Sequence, residues 1–155
     1  MSPVQNVKDV PVLSSSLEDS MHPVHVNHAA LVVSALILWF LGAFWYSPVA
    51  FAKPWIAIIG RKAGEKPKGL AAGMVGSFIG DLILSLVLAH VVAWSGAQGF
   101  AMGALVGFVM WLGFVVGPLY PQSVYEGRPF TYFAINSGYW LVGLLVAGGL
   151  LASWH

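Results

Sequence analysis

One acid stands inside an apolar run of this chain. Asp81 falls between Gly69 and Trp94, in the stretch GSFIGDLILSLVL at 76–88. A charged Asp at the centre of a bilayer costs about 2.5–3.5 kcal/mol, so such a group faces other helices or a water-filled space rather than lipid. Ser77 and Ser85 lie one helical turn to either side of it and can hydrogen-bond it locally. Asn136, Ser137 and Tyr139, from the last apolar segment, are the candidates from across a bundle. No Lys or Arg falls in any apolar segment, so an ion pair within the bundle is not available. Three roles follow. Asp81 is a neutral acid that ties helices together, a proton or cation site, or a contact with another subunit.

The five histidines are His22, His25, His28, His90 and His155. A metal or haem needs imidazoles that converge. His28 and His90 could reach similar depth on neighbouring helices, which makes them the candidate pair. Pro23 interrupts any regular helix through MHPVHVNH, and no Cys accompanies the group. Interfacial placement is the simpler expectation for these side chains. His90 lies nine residues from Asp81, on the other side of a helix, so the two form no relay along one face. The chain has no nucleophile elbow, phosphate loop or His-Glu zinc signature. No enzymatic activity and no cofactor are expected.

The elements that position these residues follow from composition. Of 155 residues, 58% are hydrophobic and only 8% charged, against about 25% charged in a soluble domain. A net charge of +1 excludes a basic footprint for nucleic acid. The absence of Cys excludes a disulfide framework. Four runs reach the roughly 20 residues that a membrane-crossing helix needs. They cover about 28–46, 70–94, 98–117 and 131–154, the third ended by Pro118 and Pro121. The predicted fold is all-α: a four-transmembrane-helix bundle at 27–155, preceded by a polar N-terminal tail at 1–26 lying outside the membrane. Met21 is a conceivable alternative start. Asn27 is a suitable N-cap for the first span.

Ser95-Gly96-Ala97 is short enough to make spans two and three a tight hairpin. Small residues recur every four positions on both: Gly69, Gly73, Ser77, Asp81, Ser85, Ala89 and Ala93 on span two, and Gly99, Gly103 and Gly107 on span three. Such lines let helix backbones approach in lipid. Gly73, Gly99, Gly103 and Gly107 are therefore read as packing positions, with the hairpin closing on itself. A second protomer is the other candidate partner for one of these lines.

Six of the seven Lys/Arg lie in the loops at 47–68 and 118–130; only Lys8 precedes span one. The positive-inside rule then places those loops in the cytoplasm and both termini outside. Trp39, Trp45, Tyr46 and Trp55 gather near the inner end of span one, and Trp94 and Trp154 mark outer ends, in the manner of interfacial aromatic belts. WYSPVAFAKPW is expected to leave the membrane and lie along its inner surface. YEGRPF, with Glu126 and Arg128, is read as a structural turn.

Asn27, WYSPVAFAKPW at 45–55, GFVMWLGF at 107–114, EGRP at 126–129 and INSGYWLV at 135–142 together resemble a bacterial family of small four-helix membrane proteins catalogued only as a domain of unknown function. The resemblance covers about residues 21–155, the tail before Met21 being an addition to the pattern. It implies an architecture and no reaction. The leading functional expectation is a bacterial inner-membrane protein that works through helix packing, as a homo-oligomer or as an accessory subunit of a larger membrane assembly. The alternatives are a small proton- or cation-coupled channel or carrier using Asp81, and metal or haem binding through His28 and His90.

Overall fold

The computed structural model describes residues 26–62 and 69–154. The tail, His22, His25, Lys66, Lys68 and His155 lie outside the described residues. Six α-helices follow in order: α1 (His28–Trp45), α2 (Ala52–Ile58), α3 (Leu70–Ser95), α4 (Gly99–Trp111), α5 (Gly117–Tyr125) and α6 (Phe130–Ser153). A π-helical turn, Leu112–Val116, joins α4 to α5 into one continuous rod. Among the described residues four helices are long and apolar enough to cross a membrane: α1, α3, the α4–α5 rod and α6. Among the described residues there is no strand. In lipid a helix satisfies its own backbone hydrogen bonds, which an open sheet cannot do.

Local chemistry sets the helix ends. The Asn27 side chain accepts from the N–H groups of Ala29 and Ala30, as an N-cap should. Gly96 closes α3 with φ 67°, a left-handed conformation that costs glycine little. The third span does not stop near Gly117. It runs on through the π turn to Tyr125, with Pro118 at the start of α5 and Pro121 inside it.

α6 is the hub. Its closest neighbour is α4, and α1 and α3 also pack on it. The α4–α6 seam is a meeting of backbones. A Cβ at Gly103 would collide with the Gly148 carbonyl, and one at Gly107 with the Leu144 carbonyl. Across the α1–α6 seam, large side chains enter glycine gaps. Trp45 lies against Gly138, Leu38 against Gly143, and Tyr139 against Gly42, with its hydroxyl 3.3 Å from where a Cβ there would be. Ala30, Leu38, Leu88, Val92, Leu144 and Ala147 fill the core of this end of the bundle. The beginning of α1, the α3–α4 turn and Trp154 all border one small cavity of about 180 Å³, so both ends of the four-span domain lie at the same end of the bundle.

Two expectations need correcting here. The glycine line of the third span does not close the hairpin, since Gly103 and Gly107 pack on α6 instead of α3. A short turn fixes where the next helix starts but not which neighbour it lies along. The flattest available face was on α6, where Leu144, Gly148 and Ala152 line up every four residues. Gly73 and Gly99 are not packing positions among the described residues: a Cβ at either meets none of them within 4 Å. Gly99 has φ 76° and serves the turn.

The tryptophans also do more than anchor the interface. The indole N–H of Trp39 donates to the Met74 carbonyl at 3.0 Å, that of Trp45 to the Ile135 carbonyl at 3.0 Å, and that of Trp111 to the Ser137 carbonyl at 2.9 Å. Each bond ties two spans together. In the turn before α6, Arg128 pairs with Glu126 (3.5 Å) and donates to the Ile58 carbonyl at 3.3 Å, consistent with the structural turn expected for YEGRPF.

The seam yields a direct comparison. Gly107→Val should cost about 1–3 kcal/mol or more, because backbone must move to admit the side chain. Gly76→Ala, whose added methyl meets nothing within 4 Å, should stay within about 0.5 kcal/mol. Unfolding of both variants in mild detergent, followed by circular dichroism, reads the difference; equal stabilities would refute the α4–α6 seam.

Candidate functional site

The two halves of α3 differ in surroundings. From Leu70 to Gly80 it is exposed apart from half-buried Phe78, whereas Asp81, Ser85, Leu88, Ala89 and Val92 are buried. Those five positions recur at the 3- and 4-residue spacing of one helix face. The packed face thus begins at Asp81 and continues toward the α3–α4 turn. Toward the connector the helix stands off from the bundle. One direct tie there is the Trp39 N–H bond to Met74, beside an edge-to-face contact of Trp39 with Phe78 at 6.3 Å.

A cleft of about 900 Å³ fills the space between this half of α3 and the spans α1 and α6. Asp81 lies at its inner limit. Trp39, Tyr46, Trp55, Tyr139 and Trp140 supply aromatic walls. Ser77 contributes a hydroxyl, Gly73 and Gly80 contribute bare backbone, and Arg61 lines the cleft from the connector. The cleft exists because the small residues of α3 leave the space next to them empty.

The lining aromatics are held in place by their polar ends. Tyr139 donates from its hydroxyl to the Leu38 carbonyl at 3.3 Å. Tyr46 donates to Asn136 Oδ1 at 2.9 Å, and Asn136 Nδ2 donates to the Tyr132 carbonyl at 2.7 Å. Tyr46 also meets Trp55 edge to face at 5.3 Å.

The structure brings only part of the expected Asp81 group together. Ser77 and Tyr139 share its cleft. Ser85 does not serve it: its hydroxyl donates to Ser34 Oγ of α1 at 3.3 Å, in the buried core one turn further along. Asn136 does not serve it either, being engaged with Tyr46 and Tyr132. Ser137 is buried on α6, its carbonyl taken by Trp111. Asp81 itself is only 4% exposed. Among the described residues no hydrogen bond and no ion pair reaches its carboxylate. Ser85, Asn136 and Tyr139 thus bond other groups, while Ser77 lines the cleft and the buried Ser137 hydroxyl has no partner among the described residues.

Tyr46, Trp55, Trp140 and Arg61 were not singled out beforehand as site residues. Their one sequence signal was aromatic clustering around the inner loop, which interfacial anchoring explains equally well.

His28 is exposed at the first turn of α1. His90 turns Nδ1 back to the Leu86 carbonyl of its own helix at 2.8 Å and meets Trp94 at 5.7 Å. Among the described residues no three His, Cys, Asp or Glu side chains are grouped so as to hold a metal ion.

Neither a curated protein nor a solved structure matches the chain. Residues 29–152, from the first turn of α1 almost to the end of α6, match one family, and the chain belongs to it: "Protein of unknown function (DUF1761)".

Proposed function

We propose that this protein is a channel or carrier for protons or a small cation, and that Asp81 takes the ion. One observation carries this: a buried carboxylate borders a large cleft, and no described side chain bonds it. An intramembrane acid that is not spent on structure is available to a proton or cation. Tyr139 holds the wall opposite through its bond to α1, and Ser77 adds a second oxygen from the same helix. The activity is binding and transfer rather than covalent chemistry.

Proteoliposomes with an internal pH dye test this. Wild type should carry a proton or cation flux that Asp81→Asn, nearly the same size but unable to ionise, reduces by about tenfold or more. Identical traces for the two proteins would dispose of the proposal.

A second role is supported by the unpaired inner half of α3. Gly73, Gly76 and Gly80 present bare backbone with nothing within 4 Å. In lipid such faces suit another helix. A homo-oligomer, or attachment to a larger membrane assembly, would use them. Cysteine cross-linking of Gly76→Cys in membranes should give a dimer band or an adduct with another protein; a monomer alone counts against this role.

The lysine-rich connector supports a bacterial inner-membrane setting with both termini outside. The chain has no native Cys, so Lys62→Cys is a clean reporter. It should resist an impermeant maleimide in intact spheroplasts and react once they are lysed.

A further inference from the structure

We propose that the ligand of the Asp81 cleft is an organic ammonium ion, its charge met by Asp81 and its substituents lying against the aromatic walls. This rests on the Asp81 site described above and names what occupies it.

The oxygen supply argues against a bare metal ion. A calcium site takes about six to eight oxygen ligands, and magnesium demands near-octahedral geometry. An alkali ion needs a ring of oxygens to replace its hydration shell. The lining side chains offer the Asp81 carboxylate, the Ser77 hydroxyl and the hydroxyls of Tyr46 and Tyr139. Even with both tyrosine oxygens free to accept, these side chains supply five oxygens, short of the six to eight of a calcium site. A single ammonium asks for much less: one counter-charge and soft surroundings.

The walls supply those surroundings. Trp39, Tyr46 and Tyr139 each spend their polar end on a hydrogen bond to the protein. The Trp55 Nε1 atom is buried and faces no acceptor. These rings therefore meet the cleft mainly with carbon and π surface. Such surface attracts cations, most strongly when water is excluded, and it favours alkylated ammonium over a hydrated ion. A volume of about 900 Å³ lies in the range of small-molecule sites, roughly 300–1,000 Å³, and far exceeds what a bare ion fills.

Arg61 limits the ligand further. It lines the cleft from the connector, as Asp81 does from α3. The cation must then lie at the Asp81 end, and a second positive charge is disfavoured near the connector. A singly charged, hydrophobic ammonium fits this arrangement.

The full chain in phosphatidylcholine nanodiscs, with radiolabelled benzyltrimethylammonium as the probe, gives the test. Saturable binding is expected that a large excess of sodium chloride does not displace. Asp81→Asn should weaken it about thirtyfold or more, the usual scale for removing one partner of a desolvated charge pair. Trp55→Leu and Trp140→Leu, with Asp81 intact, should each weaken it roughly two- to twentyfold. Far-UV circular dichroism confirms that each variant is folded. Probe binding unaltered in all three variants marks partition into lipid and overturns the proposal. Asp81-dependent binding of sodium without the ammonium overturns the ligand class yet leaves the Asp81 site standing. Tighter binding of glycine betaine than of the benzyl compound also overturns it, since a zwitterion reaching toward Arg61 would then be the ligand. Absence of any Asp81-dependent flux or binding ends both proposals.

Discussion

Lipid tails are as apolar as leucine, so helices in a bilayer gain little from burying apolar side chains against each other. What holds this bundle is the approach of backbones where glycine removes the obstacle. Gly103 and Gly107 on α4 meet Leu144 and Gly148 on α6 with no side chain between them. Once that seam is fixed, α6 presents its remaining faces to α1 and α3. Gly138 and Gly143 receive Trp45 and Leu38, and Tyr139 presses on Gly42. The tryptophan bonds to Met74, Ile135 and Ser137 then set register between rods that could otherwise slide.

The same economy explains where the bundle is open. Close packing by glycine works only where a partner is available. α6 is occupied by α4 on one side and by α1 on another, and α3 reaches the core with one face of its second half only. Its first half carries glycines with nothing against them. Asp81 sits at the change from one regime to the other, buried by the packed half and bordering the space left by the open half. A cleft with an acid at its inner limit thus follows from the distribution of small residues and needs no special loop or insertion.

Much of this was legible in the sequence. Four uninterrupted apolar runs announce four spans, because length and composition suffice to meet the bilayer's demand on the backbone. Asn27 as a cap and Gly96 as a turn were equally plain, each being a local property of one residue. Partner choice was not. A four-residue period of small side chains says that a helix has a flat face, and nothing in the period says which neighbour takes it. Gly103 and Gly107 found α6, across the bundle, instead of the adjacent α3. Pro118 and Pro121 read as terminators because proline removes a donor, yet the π turn at Leu112–Val116 carried the helix past them. The indole donors of Trp39, Trp45 and Trp111 were hidden by the general enrichment of Trp at interfaces. At the site, burial of Asp81 was foreseeable from its cost in lipid, and Tyr139 from its place on the last span. That Ser85 and Asn136 are engaged elsewhere depends on Ser34 and Tyr46, which no local pattern connects to them.

The energetics of Asp81 bear on why the chain carries it. Measured inter-helix hydrogen bonds in membranes average about 0.6 kcal/mol and reach about 1.7. Placing a charged Asp mid-membrane costs about 2.5–3.5 kcal/mol. Among the described residues this acid receives no hydrogen bond to offset such a cost. An acid that no described side chain bonds, in a cleft walled by Trp55, Tyr139 and Trp140, is accounted for in the proposed reading, where a cation meets its charge. On that reading the carboxylate serves the occupant of the cleft rather than the scaffold.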